Sequence, residues 1–159
     1  MAAVHERPPY GAYAQIFGTF AAGLAAAGAL ARALGRDPQD ETVLDLVVLS
    51  AATFKAARTI SRDEVTSFAR APFVEREATG EGERPKQTGG IEQAIGELVT
   101  CTRCVGTWAA AGLTATQIIA PKFGRILTWT LAASAANDFL QAGFTALTSK
   151  SNELETRAS

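Results

Sequence analysis

Two cysteines three positions apart, Cys101 and Cys104, lie in the stretch ELVTCTRCVGTW (97–108), between Glu97 and Trp108. A Cys-x-x-Cys pair can act as a redox dithiol, can donate to a soft metal, or can pack as two small apolar residues in a helix contact. On a continuous helix Glu97, Cys101, Cys104 and Trp108 fall at i, i+4, i+7 and i+11 and share one face. A carboxylate one turn below Cys101 disfavours its thiolate by like-charge repulsion, and burial acts in the same direction. A reactive cysteine also gains from standing at a helix N-terminus, where free N–H groups lower the thiol pKa. Here 92–100 already reads as helix, and no strand precedes the motif. The metal reading has three potential ligands on that face, Glu97, Cys101 and Cys104, and needs a fourth from another helix or another chain. Packing carries most of the weight, with Gly106 suited to a close helix contact and Trp108 to the membrane boundary. The expectation is a protein without catalytic activity, cofactor or metal.

The second set of chemically capable residues is charged. Asp45 and Asp138 sit within hydrophobic stretches, where a lone charge is costly and calls for a partner. Lys55 and Arg58 are the natural partners for Asp138; Asp45 lies near the opposite helix end and can reach the outer headgroups. Lys55, Arg58, Thr59 and Arg62 fall at i, i+3, i+4 and i+7, one helical stripe whose long stems can cover apolar surface while their heads reach the headgroup layer. Asp138 within a stripe of Thr130, Ser134, Asn137, Gln141 and Thr145 alternatively lines a proton or ion path.

The elements that carry these residues read as helices. Residues 11–31 contain no charge, against the roughly 20 residues needed to cross the hydrocarbon core. Gly18, Gly23 and Gly28, set in an alanine run, let helix backbones approach closely inside a membrane. Gly35 and Pro38 end this helix. The expected helices are about 10–34, 42–60, 91–120 and 123–147. A short amphipathic helix over 62–70 opens on a capping box at Ser61–Glu64 and carries Val65, Phe68 and Arg70. The charged, glycine-rich 75–90 stretch predicts a mobile exposed loop, and 149–159 a frayed polar tail. No alternating segment is long enough for a sheet. With 159 residues, 47% hydrophobic and 19% charged, the chain reads as one all-α domain, a four-helix integral membrane bundle of two hairpins joined by a charged cytoplasmic loop. A mean hydropathy of +0.08 is low for four spans, which keeps a soluble bundle as the alternative. A net charge of −1 implies no general attraction to nucleic acid, and His5 with two cysteines is poor material for structural zinc.

Three stretches, LDLVVLSAATFKAARTISRDEVTSFARAPF (44–73), AIGELVTCTRCVGTW (94–108) and LAASAANDFL (131–140), together resemble a bacterial family of small membrane proteins, domain of unknown function 1360, over about residues 43–145. That family includes a sporulation protein. The most specific parts are Arg62, Asp63, Val65, Thr66, Arg70, Ala71, Pro72 and Phe73, and Cys101, Cys104, Gly106 and Trp108. The family usually has proline where Thr102 stands, and commonly a polar or ring-bearing residue where Phe54 stands. The resemblance implies a polytopic bacterial membrane protein and no activity. Basic residues concentrate in 55–90, so the positive-inside rule places that loop and both termini in the cytoplasm, in the inner membrane. The expected role is an accessory or structural membrane protein acting through helix–helix contacts. Its expected partners are lipid and either copies of itself or other membrane subunits. The alternatives are a small carrier or channel-like protein using Asp138, or a thiol or metal protein using Cys101 and Cys104.

Overall fold

The uncharged N-terminal run forms one long helix, α1 (Tyr10–Ala33). It stops at Gly35, whose φ of +62° is a conformation that side chains with a Cβ resist. Gly35 N–H donates to Arg32 O and Arg36 N–H to Ala31 O, the paired bonds of a Schellman end. The computed structural model describes residues 8–36, 42–76 and 82–158; His5, Pro38 and the 77–81 part of the expected loop lie outside them. Next come α2 (Val43–Arg62), a 3₁₀ turn (Glu64–Thr66), α3 (Ser67–Arg70), strands β1 (Val74–Arg76) and β2 (Glu83–Pro85), α4 (Ile91–Thr100), α5 (Thr102–Ile119) and α6 (Pro121–Ala158). The protein is all-α apart from one small hairpin.

Several boundaries differ from the sequence expectation, each for a local physical reason. The capping box belongs to α2, not to 61–64: Asp45 N–H donates to Thr42 Oγ1, and Thr42 N–H donates to Asp45 Oδ2. Ser61 is interior to α2 and turns its hydroxyl back to Ala57 O at 2.7 Å, an alternative open to any helical serine. The single helix expected over 91–120 is two helices, because Cys101 is extended (φ −93°, ψ 99°). The 75–90 stretch is not structureless: β1 and β2 pair antiparallel with Val74 opposite Pro85 and Arg76 opposite Glu83. The polar tail is not frayed but continues α6, where Glu153 pairs with both Lys150 and Arg157 at i−3 and i+4, spacings that support exposed helix.

The three helices α2, α5 and α6 pack against one another, and α1 lies on α5 and α4. The core between them is made of small residues, with Ala52, Ala57, Ala94 and Ala135 almost fully buried beside Val48, Val105 and Leu113. The large apolar side chains point outward: Phe17 is 73% exposed, Leu140 73% and Leu147 74%. The chain exposes 11256 Å², where a compact chain of 16.6 kDa would expose about 7,600 Å². The exposed end of α6 and the outward apolar side chains of α1, α2 and α6 contribute to that excess. By length and composition one described helix, α1, is apolar enough to cross a membrane.

Candidate functional site

Cys101 is the N-cap of α5, and this position carries its chemistry. The chain breaks after Thr100, and Cys101 Sγ accepts the N–H of Cys104 at 3.3 Å. An N-cap side chain normally satisfies one of the four free N–H groups of a helix start with oxygen; here sulfur does it. The two cysteines are joined by a disulfide, with Cα atoms 5.2 Å apart. Cys101 is half-buried and Cys104 exposed. The sequence argument against a reactive pair rests on 92–100 and 101–108 being one helix, and the break removes that premise.

Glycine and two hydroxyls hold this helix start in place. A Cβ on Gly106 would stand 3.8 Å from Ala57 Cβ, so the Cys-x-x-Cys-x-Gly turn of α5 lies close on α2. Thr102 shares a 2.8 Å hydrogen bond with Ser61. On the α4 side Gly89 N–H donates to Gln93 Oε1, Gln93 Nε2 to Glu97 Oε1 and Tyr13 Oη to Glu97 Oε2 at 2.5 Å. Glu97 is thus engaged by α1 and by its own helix. The three possible metal ligands, Glu97, Cys101 and Cys104, do not form a ligand set, since both sulfurs are in the disulfide; among the described residues no group of three or more His, Cys, Asp or Glu could hold a metal ion.

Beside the pair is an open-sided cavity of about 380 Å³ between α1, α4 and α5, lined by Ile16, Phe17, Phe20, Leu98, Trp108 and Cys104, with Tyr13 and Glu97 in the wall. Phe20 and Trp108 meet edge to face, ring centroids 5.1 Å apart, a favourable aromatic geometry. Trp108 therefore packs on α1. Farther along, α1 stands away from α5 over a wider groove that includes Gly28, Ala31 and Ala115. A Cβ built on Gly18, Gly23 or Gly28 meets nothing within 4 Å, so these glycines make no close helix contact inside the chain.

The charged candidates fall in two other places. Lys55 Nζ donates to Asp138 Oδ2 at 2.7 Å, tying α2 to α6, with Phe54 and Phe139 stacked beside the pair at 5.4 Å. Arg58 and Arg62 are exposed. Arg70 is 3% exposed and gathers the end of α2: Nη1 donates to Ile60 O, Asp63 O and Thr66 Oγ1, while Nε and Nη2 donate to Glu83. Thr66 Oγ1 itself donates to Thr59 O. The Arg-Asp-x-Val-Thr and Arg-Ala-Pro-Phe runs are therefore one device that closes the C-terminal end of α2 and anchors β2. At the opposite end of α2, the hydroxyl and N–H of Thr42 both donate to Asp45 Oδ2, at 2.6 and 3.0 Å.

Four positions that matter here carry no signal in the sequence. Tyr13 is the partner of Glu97 across the fold, and Glu83 is the partner of Arg70. Gly96 lets the hairpin approach α4, since a Cβ there would lie 2.5 Å from Phe73 O. Gly124 does the same for the α5–α6 turn, where a Cβ would lie 2.6 Å from Gln117 Cα.

Comparison with known proteins agrees with the placement of these motifs. Residues 48–144 match the family described as protein of unknown function (DUF1360). The chain is 30% identical over 95 residues to the sporulation protein YjcA of Bacillus subtilis (strain 168), covering 56% of this chain and 80% of that one. No solved structure matches. The α2 end, the cysteine pair and the Lys55–Asp138 contact all lie inside the matched region, and the chain belongs to the DUF1360 family.

Proposed function

We propose that this is a multi-pass protein of the bacterial cell membrane that carries a reversible thiol–disulfide centre, Cys101–Cys104, at its cytoplasmic end. The observation that carries the redox reading is the N-cap position of Cys101. Free N–H groups at a helix start stabilise a thiolate, and the Cys104 N–H aimed at Cys101 Sγ does so directly. A disulfide in a reducing compartment is usually transient and works in catalysis or sensing rather than as a staple.

The membrane reading rests on which residues face out. Only α1 meets the length and hydropathy criterion, but α2 and α6 also turn large apolar side chains outward, and Lys55 pairs Asp138 between them. At 1.5 Å per residue α5 extends about 27 Å and α2 about 30 Å, close to a hydrocarbon core of about 30 Å. In an up-and-down arrangement of α1, α2, α5 and α6, the 63–101 shoulder and both chain termini share one side. Arg62, Arg70, Arg76, Arg84, Lys86 and Arg103 put that side in the cytoplasm. Exposed Val65 and Phe68 then lie at the headgroup layer.

The test is a redox titration of the full-length protein in detergent. Glutathione buffers of graded ratio are followed by maleimide mass-tagging of the two cysteines. A reversible two-electron transition, absent in Cys101→Ser and Cys104→Ser, supports the centre; thiols that stay free at every ratio, or a bond that thiols cannot open, refute it. Alkali extraction of membranes tests insertion separately, since release without detergent refutes it.

A second reading, the accessory subunit acting through helix contacts, is favoured by the empty space beside Gly18, Gly23 and Gly28, which another helix can approach closely. Crosslinking from these positions in intact membranes tests it. The Lys55–Asp138 pair gives the intrahelical carboxylate a partner without an ion path, so the carrier reading gains no support from it.

A further inference from the structure

We propose that the cavity between α1, α4 and α5 binds a quinone-class ring, to which the reduced Cys101–Cys104 pair delivers two electrons; this rests on the redox reading above. Closing a disulfide releases two electrons together, so the acceptor must be a two-electron acceptor. The cavity at Cys104 is walled by Ile16, Phe17, Phe20, Leu98 and Trp108, which suits a flat apolar ring better than a charged, water-soluble oxidant. Its volume of about 380 Å³ lies at the small end of ligand sites and accommodates a ring with a short tail. Phe17 is both cavity wall and outward-facing on the apolar surface of α1, so the cavity has an apolar edge on the α1 side, while α4 and Cys104 border it toward the shoulder. Lipid-soluble two-electron acceptors with ring carbonyls are quinones. The polar end of the cavity fits them as well: Tyr13 Oη and Glu97, hydrogen-bonded to each other, can exchange that bond for one to a quinone oxygen.

In the transfer, the S–H bonds of Cys101 and Cys104 break and the S–S bond forms. Both ring carbonyl oxygens gain a proton and an electron, giving the hydroquinone. A thiol reductant of the glutathione or dithiol-protein class, arriving from the aqueous side where Cys104 is exposed, reopens the disulfide and is itself oxidised. The net transfer is from aqueous thiols to the lipid quinone pool.

The experiment uses the full-length protein in detergent micelles, reduced and freed of reductant without oxygen. Decylubiquinone, whose fully substituted ring resists direct addition of thiols, is the probe. The expected result is one quinone reduced for every two thiols lost, read by quinone absorbance and by maleimide mass-tagging, with no reaction in Cys104→Ser. Oxidised glutathione is the comparison oxidant. Filling the cavity with Ile16→Trp, or removing only a hydroxyl with Tyr13→Phe, lowers the ratio of the quinone rate to the glutathione rate by about tenfold or more, a loss typical of a misplaced reactant. If glutathione closes the pair and the quinone does not, the quinone proposal is overturned while the redox centre stands. It is overturned as well if both variants leave the ratio unchanged. If neither oxidant closes the pair reversibly, the redox reading itself falls.

Discussion

Replacing Arg70 by methionine keeps most of the apolar stem and removes five hydrogen bonds at once: two to Glu83, one each to Ile60 O, Asp63 O and Thr66 Oγ1. Arg70 is 3% and Glu83 18% exposed at the side chain, so the pair is screened little by water. Breaking such a buried pair from one side costs about 3–5 kcal/mol, because the partner is left charged and unmatched. At about 1.4 kcal/mol per factor of ten, the open population of the 63–86 shoulder rises by roughly two to three and a half powers of ten. Arg76, on β1, offers a trypsin site inside that shoulder. Where opening and closing are fast compared with cleavage, the cleavage rate follows the open population. The assay is timed trypsin digestion in detergent, with peptide mapping of cuts between β1 and β2. Arg70→Lys should fall between the two, since lysine keeps the charge without the planar fork. Adding Glu83→Gln to Arg70→Met should recover part of the loss. Equal cleavage rates in wild type and Arg70→Met would show that Arg70 does not hold this shoulder, and the account of the Arg-Asp-x-Val-Thr motif would fail with it.

Three other outcomes follow from the same geometry. Lys55→Met leaves Asp138 without its cation and should lower the detergent melting stability by about 2.5–3.5 kcal/mol if the site is at hydrocarbon depth; Lys55→Met with Asp138→Asn should restore much of it. Gly96→Ala forces Phe73 O or Pro85 aside, at a cost of about 1–3 kcal/mol, whereas Gly106→Ala meets Ala57 at ordinary contact distance and should change the melt little. Thr42 caps α2 by accepting the Asp45 N–H on its hydroxyl, so Thr42→Ala should cost about 1 kcal/mol at that helix start. Amide exchange over 43–46 should therefore be faster in Thr42→Ala than in the wild type.

Helix positions along the chain follow from apolar runs and glycine or proline stops, and α1 and α2 lie within three residues of the expected bounds. What is not legible depends on contacts across the fold. The hairpin has no apolar alternation of its own; Arg70, Glu83 and the clearance at Gly96 order it from outside. The break at Cys101 is invisible to periodicity because Glu97, Cys101, Cys104 and Trp108 keep helical spacing on either reading. Only the sulfur acceptor for the Cys104 N–H distinguishes a helix interior from a helix start. Lys55 and Arg58 stand one turn apart and are equivalent as partners for Asp138 in sequence. The face of α2 on which α6 packs decides for Lys55. The helical tail of α6 is readable in principle from the Lys150, Glu153 and Arg157 spacing, and composition alone hides it.

The cysteine pair and its cavity divide differently along the chain. Cys101, Cys104, Gly106 and Trp108 fall within the residues that match the family, as do Glu97 and Leu98, whereas α1 begins before that match at residue 48. Yet α1 supplies Tyr13, Ile16, Phe17 and Phe20 to the cavity wall. On the proposed reading, the thiol chemistry is built within the matched region, with the α5 start seated against α2 through Gly106 and the Ser61–Thr102 bond. On the same reading, what reaches the sulfur is selected by a helix outside that region. A wall on a separate helix can change its side chains without disturbing the N-cap geometry, because α1 touches α4 and α5 but takes no part in the Cys101 turn. On this argument, grafting substitutions on α1 alters acceptor preference at constant thiol–disulfide equilibrium, whereas a change at Thr102, which removes the bond to Ser61, moves that equilibrium itself.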